Sequence, residues 1–265
     1  ALVSGEVVRS EGVSVFDMRG AFPVFSEVHD LLRPDVIPPQ YEIAREWHQF
    51  ELIAVINAIL SIVNTIHQNG HGGTLIVACQ DCEVYKFLRL KYSLSQETND
   101  LRDRFVHFMN LRHRHGDMLL PSQFKDGAPE VTEDDVRQIF TEIQEAQRKL
   151  TESCMFVGNL AGTDGAIVLG TDLKVRGFGA EILLDKVKSS KVYMVKSPLE
   201  NTKEEGHSES FGMRHRSAMR LCGTAIGLAV FVVSQDGGVS LIWNDNGDSC
   251  YKSGIQTTNA NMVLA

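Results

Sequence analysis

The chain is sparing with cysteine, proline, tryptophan and positive charge. Its five cysteines are an odd number scattered over 265 residues. A chain of this length buries roughly 75% of its unfolded surface and needs no covalent stapling, so a reducing, cytoplasmic setting is expected over a disulfide scaffold. Cys79-Gln80-Asp81-Cys82 has CxxC spacing, but no second pair completes a zinc site. Lys and Arg number 26 against 34 Asp and Glu, a net charge of −8. That balance argues against sequence-independent nucleic-acid binding, so no nucleic-acid partner is expected, although a local basic pocket is allowed. The N-terminus carries no secretory signal pattern. The longest apolar stretch, 50–66, is interrupted by Glu51, Asn57, Ser61 and Asn64, which fits a buried helix better than a membrane span. The chain opens on Ala1 instead of Met, which leaves room for a further domain or a membrane anchor outside it.

What is present is the material of a globular α/β protein: 43% hydrophobic residues and 22 glycines. Four of the seven prolines (Pro23, Pro34, Pro38, Pro39) fall in the first 40 residues. Short strands are expected at 13–16 and 21–25, with a stiff break at Pro38-Pro39. An apolar stripe through Ile43, Trp47, Phe50, Ala54, Ile59, Ile62, Val63 and Ile66 predicts a long helix over 43–67. Glycines 70, 72 and 73 end it, and 74–78 reads as a buried strand. Residues 83–120 read as amphipathic helix and 121–129 as a polar loop. A helix over 132–150 has Thr132 as its N-cap and Glu133, Asp134 and Asp135 at its positive end. Short strands are expected at 167–169, 173–178, 180–184 and 191–195, a polar loop at 197–210, and a helix at 216–222. A long apolar strand at 225–233 pairs with 238–243 through a turn. Alternating helices and apolar strands predict an α/β sheet covered on both faces.

Two short motifs carry the chemistry. Asp164-Gly165-Ala166 runs into the apolar stretch Ile167-Val168-Leu169. Glycine lets the main chain approach a ligand, and a carboxylate at a strand mouth can hold Mg²⁺ or Mn²⁺. Arg214-His215-Arg216 follows Phe211-Gly212-Met213. The two guanidinium groups suit bidentate phosphate contacts, and His215 suits a phosphate donor or a metal ligand. Both strings recur, as Arg112-His113-Arg114 and Asp126-Gly127-Ala128. The second Asp-Gly-Ala opens no strand and the second Arg-His-Arg has no glycine before it, so these copies read as chance. His107, His113 and His115 are expected to cap a helix end, Trp47 and Trp243 to pack in the core, and His71 to lie in a plain turn.

With the strand at 225–233 and Ser234 beyond it, these motifs resemble the diadenylate cyclase domain family, the nucleotidyl cyclase fold of the DNA-integrity scanning protein DisA and its relatives. The matching pieces are Asp164-Gly165-Ala166, residues 212–218, Val233-Ser234, and Gly73-Thr74-Leu75-Ile76-Val77 as a first core strand. The resemblance spans roughly 48–245. It implies a central mixed, twisted sheet flanked by helices, an N-terminal extension over 1–45, and a nucleotide-binding domain over 46–265 with insertions near 95–150 and 185–210.

The resemblance also implies an activity. Family members condense two ATP into cyclic di-AMP and release two pyrophosphates, with Mg²⁺ or Mn²⁺ as cofactor and two domains meeting face to face as a homodimer. Asp164 then matches the residue that supports the metal and activates the attacking hydroxyl. His215 is the second candidate metal contact. Gly165, Ala166, Gly212, Met213, Arg214, His215, Arg216, Ser234 and Gln235 match nucleotide-binding positions. The sequence departs from the family twice: Met213 stands where Gly-Thr-Arg-His-Arg has threonine, and Ser234-Gln235-Asp236 replaces Ser-Glu-Glu. A second expectation is therefore a sensor of the same fold that binds ATP or cyclic di-AMP without turnover.

Overall fold

The computed structural model describes residues 2–3, 6–7, 22–37, 48–80, 82–119, 131–183, 191–197 and 202–257. In chain order the elements are β1 (Leu2–Val3), β2 (Glu6–Val7), α1 (Phe22–Leu32), α2 (His48–Gln68), β3 (Gly73–Ala78), β4 (Leu88–Arg89), α3 (Leu101–Leu119), α4 (Glu133–Asn159), β5 (Ala166–Gly170), β6 (Val175–Ile182), β7 (Val192–Ser197), β8 (Thr202–Glu205), α5 (Met213–Thr224), β9 (Leu228–Val233), β10 (Val239–Asp245) and β11 (Asp248–Ser253). β1 and β2 form a small hairpin, and the other nine strands form one sheet in the order β4-β6-β5-β3-β9-β10-β11-β7-β8. The sheet is mixed: β3/β5 and β7/β11 run parallel and the remaining pairs antiparallel.

The central strands read as unbroken apolar runs because both of their faces are covered. Leu75, Val77, Ile167, Leu169, Phe231 and Leu241 pack toward α1–α4. Their alternate neighbours Ile76, Val168, Val230, Val232 and Ile242 pack toward α5. On the four-helix face, α2 lies against α4, where a methyl group on Gly158 would fall 2.5 Å from Thr65 Cβ. The α2 segment Glu51–Gln68 has the length and composition of a membrane span, but it is 67% buried inside the protein. Of its polar groups, Asn64 Oδ1 accepts from Thr257 Oγ1 at 3.0 Å and Thr65 Oγ1 donates to the Ser61 carbonyl oxygen at 3.0 Å. Thr132 caps α4 in a reciprocal box, accepting from the Asp135 backbone N–H while Asp135 accepts from that of Thr132.

Several expectations change. Residues 22–25 are helical, not a strand. Val24, Phe25, Val28 and Leu32 form one buried helical face, and Pro23 sits in the first turn, where its missing N–H costs nothing. α1 thus lies within 1–45 and packs in the main core, with the Phe25 and Phe231 rings 6.3 Å apart. Residues 83–120 are not one helix: a 3₁₀ turn and β4 precede α3. α4 runs on to Asn159, α5 begins three residues earlier than expected, and 173–184 holds the single strand β6. The polar stretch 197–210 contains β8, an edge strand whose Thr-Lys-Glu-Glu sequence has no buried face to impose alternation. β11 was not foreseen, although Asn246-Gly247, both at positive φ, is a strong two-residue hairpin signal. The expected features at 13–16, at Pro38-Pro39, at Trp47 and over 121–129 lie outside the described residues; Trp243 is buried in the core as expected.

The His-rich part of α3 does not cap a helix end, since α3 continues to Leu119. His113 is buried, with Nδ1 2.8 Å from the Ile37 carbonyl oxygen and Nε2 3.0 Å from Glu51 Oε1. Glu51 Oε2 lies 2.6 Å from His29 Nε2 on α1, so one carboxylate links α1, α2 and α3. The hydrogen bond that His29 donates to Glu51 raises the His29 pKa despite opposition from burial. Burial pulls the His113 pKa down, but Glu51 and the Ile37 carbonyl outweigh it and the net shift is upward. Histidines with raised folded-state pKa values contribute stability that is full below about pH 6.5 and lost as pH rises through the folded values. Glu51→Gln is expected to remove that component. Denaturation midpoints of the variant should lose less than wild type between pH 6 and 8, and an unchanged pH slope would contradict the assignment.

Candidate functional site

The register of β5, β3 and β9 brings the two sequence motifs to one end of the sheet. Thr74 at the start of β3 pairs with Ala166 at the start of β5 and with Val232 near the end of β9, and Gly73 pairs with Val233. Residues 70–72, Asp164-Gly165 and Ser234-Gln235 therefore leave three adjacent strands at the same edge, here termed the front end. The 234–238 turn is closed by the Ser234 N–H donating to the Gly238 carbonyl oxygen at 2.8 Å. It leads into β10, whose Ser240 pairs with Ser253 of β11.

Gly72 (φ +65°) is the point of closest approach. A methyl group there would lie 2.7 Å from the Val233 carbonyl oxygen, 3.0 Å from Arg214 Nη1 and 3.2 Å from the Gln235 nitrogen. The Arg214 side chain thus reaches from α5 across the sheet edge to the Gly72 turn and Ser234-Gln235. On the next strand Gly165 takes φ +116°, and a methyl group on it would strike the Gly179–Ala180 backbone at 2.5 Å. This contact presses the Asp164 turn against β6. The Asp164 carbonyl and the Tyr92 ring approach the same Gly179, and Tyr92 stacks on Phe178 with centroids 5.2 Å apart. Asp164 and Arg214 are exposed, and among the described residues neither side chain is held by a hydrogen bond or ion pair.

α5 opens at this end with Gly212 as N-cap and no side-chain cap. Its first N–H groups are therefore unsatisfied within the helix. No acidic residue occupies its first turn; Arg214 and Arg216 stand there instead, against the preference of the helix dipole. Met213 is exposed, and Arg216 Nη1 lies 4.0 Å from Glu209 Oε2, a solvent-facing pair. His215 is turned the other way. It is 8% exposed, Nε2 lies 3.2 Å from Ser240 Oγ, and its ring stacks on Phe211 at 5.2 Å. Burial lowers its pKa, with Asp236 opposing, so it is neutral at pH 7.

The front end thus gathers Gly72, Arg214, Ser234 and Gln235 tightly and places the Asp164-Gly165 turn one strand away. Gly212, Met213 and Arg216 surround the helix start, and Ala166 is buried as the first residue of β5. The sequence gives Gly72 only as part of a helix end and Phe211 only as flanking the second motif, and it assigns no site role to Ser240 or Tyr251. A serine inside Val239-Ser240-Leu241-Ile242-Trp243 was the available sign, since a buried hydroxyl in an apolar strand needs a partner. The second Arg-His-Arg lies on α3, with its histidine held by Glu51, and the second Asp-Gly-Ala lies outside the described residues. At the opposite end of β3, Cys79 donates its thiol to the Gly227 carbonyl oxygen at 2.8 Å. Burial and Glu27 push its pKa up to about 12, so this CxxC thiol is not a ready nucleophile.

As a metal centre the front end offers two carboxylates that no hydrogen bond or ion pair holds among the described residues, Asp164 and Asp236 of the 234–238 turn. Among the described residues no group of three His, Cys, Asp or Glu side chains is arranged to hold an ion. A carboxylate suits Mg²⁺ or Mn²⁺ arriving with a nucleotide, whose phosphates supply most of the ligands. His215 fits less well, because its Nε2 is already directed at Ser240. No protein-family model matches the chain, and a search of curated proteins returns no match. The class established is thus an α/β protein with a mixed, non-barrel sheet flanked by helices.

The close approach at Gly72 can be isolated with two alanine variants. Gly70 also has positive φ (+71°) but open space around it, so Gly70→Ala carries only the left-handed backbone cost of roughly 1–2 kcal/mol. Gly72→Ala adds the clash with the Val233 carbonyl and Arg214. Its denaturation midpoint should fall clearly further than that of Gly70→Ala, and equal losses would contradict the packing described.

Proposed function

We infer that the front end binds the triphosphate of a metal–nucleotide complex and that the domain is a diadenylate cyclase-like nucleotidyltransferase of the diadenylate cyclase fold. The observation that carries this reading is the Arg214 side chain lying against Gly72 and Gln235 beside the open N-terminus of α5, on the same sheet edge as the unengaged Asp164 carboxylate. Unsatisfied N–H groups and two arginines at a helix start are repulsive when empty and become favourable with a bound polyphosphate. α2 and α4 lead into β3 and β5, so their C-terminal, partially negative ends face this same edge from the other side of the sheet. That polarity favours a cation near Asp164 and anions near α5.

In this reading Arg214 and Arg216 hold and orient the phosphates. Asp164 binds the ion and accepts the proton of the attacking hydroxyl. Asp164 would hold a Mg²⁺ or Mn²⁺ arriving with the nucleotide, and the ion would supply charge neutralisation at the phosphates. Each of two ATP molecules uses its 3′-hydroxyl to attack the α-phosphate of the other. Two P–O bonds form, two break, and two pyrophosphates leave with one cyclic di-AMP. One chain holds one ATP, so turnover needs a second copy face to face. Positioning and charge neutralisation carry most of such a reaction. A second reading, a sensor holding ATP or cyclic di-AMP, is favoured by the exposed Met213 at the helix start and by Gln235, a neutral amide at the Gly72 contact.

Incubation with ATP and Mn²⁺ separates them. The enzyme reading expects cyclic di-AMP from wild type and none from Asp164→Asn; the sensor reading expects binding without product. Arg214→Ala is expected to raise the nucleotide Kd roughly ten- to a hundredfold, the value of a charge-assisted contact worth about 1.5–3 kcal/mol. Unchanged binding by calorimetry in that variant contradicts both.

A further inference from the structure

We propose that His215 is a positioning residue that anchors the first turn of α5 to β10 and β11, so that Arg214 and Arg216 are presented at the front end on the two flanks of the helix start. The proposal rests on the phosphate-site reading for its purpose, but its geometry stands independently. Successive helical residues are about 100° apart. With His215 facing the sheet, Arg214 and Arg216 project to its two flanks. His215 is the buried member of the three.

The anchor is a chain of polar atoms. His215 Nε2 lies 3.2 Å from Ser240 Oγ, and Ser240 Oγ lies 3.0 Å from Ser253 Oγ. The two serines are register partners on β10 and β11, so the chain crosses two strands beneath the helix. The ring is clamped from the side by Phe211, which meets the edge of Tyr251 on β11 at 5.1 Å and 80°. An apolar side chain could fill this space, but Ser240 would lose the imidazole and the first turn of α5 its polar tie to β10. A ring nitrogen donating to phosphate or ligating a metal would be open to the front end, whereas Nε2 here faces the strand.

The test uses the whole chain, with Mn²⁺-ATP as the probe and ¹⁵N NMR of the histidine rings as an independent readout. Ser240→Ala removes the anchor point without touching α5. It is expected to raise the Mn²⁺-ATP Kd about two- to tenfold, the net worth of one hydrogen bond. His215→Phe should do the same, and the double variant should bind no more weakly than the weaker single variant. His215→Gln, which keeps a polar end for Ser240 and guards against a folding defect in the Phe variant, should recover binding. In the NMR arm the His215 ring should titrate below the ordinary histidine value, and its nitrogen shifts should change in Ser240→Ala. A Kd raised by His215→Phe but untouched by Ser240→Ala would mean direct ligand contact and overturn the proposal. A ring that titrates at about 6.5 and ignores Ser240→Ala would overturn it as well. If wild type fails to bind Mn²⁺-ATP, the phosphate reading falls and the NMR result alone decides the anchor.

Discussion

The register of three strands is the constraint on which the front end depends. β3 is paired along its length with β5 on one side and β9 on the other. Because Thr74 faces both Ala166 and Val232, segments more than sixty residues apart in the chain leave the sheet at one edge. A slip of one residue in either pairing would exchange the side chains packed on the two faces of these strands. With both faces packed, that slip is strongly penalised. The core that fixes the register therefore also fixes the placement of Gly72, Asp164 and Ser234.

The two faces contribute unequally. Four helices cover one side, and Glu51 ties three of them together through His29 and His113. The other side is covered mainly by α5 and the 3₁₀ turn at Glu83–Phe87. Among the described residues, α5 is the helix that presents its N-terminus to the front end together with two arginines, so the positive charge of the edge comes from one twelve-residue element. Its orientation is held by buried alanine, methionine, leucine and cysteine side chains and by the polar link from His215 to Ser240 and Ser253. Buried contacts and two exposed-side guanidinium groups thus meet in the same first turn.

Much of this was legible in the sequence, for identifiable reasons. Doubly buried strands announce themselves as β-branched apolar runs, and β3, β5 and β9 were readable on that basis. Thr132 and its three following acids marked the start of α4. Glycines 70 and 72 marked a turn, and both take positive φ. The elements that escaped lack a strong local pattern. β8 is a charged edge strand, β4 is two residues long, and α1 begins with Phe22-Pro23, which reads locally as extended. Asp164 and Arg214-His215-Arg216 stand out by residue type and context, whereas Ser234 and Gln235 enter through the family resemblance. The division of labour among them was not legible, because the inward turn of His215 depends on Ser240 and Ser253, which are distant in sequence.

The central claim is that a metal-bound polyphosphate occupies the edge between Asp164 and Arg214. Anomalous diffraction at the manganese absorption edge, from crystals grown with Mn²⁺ and ATP, tests it most directly. The account predicts one manganese peak within bonding distance of an Asp164 carboxylate oxygen and phosphate oxygens on the Arg214 guanidinium. A nucleotide bound elsewhere, or a front end without manganese at saturating concentration, would contradict it.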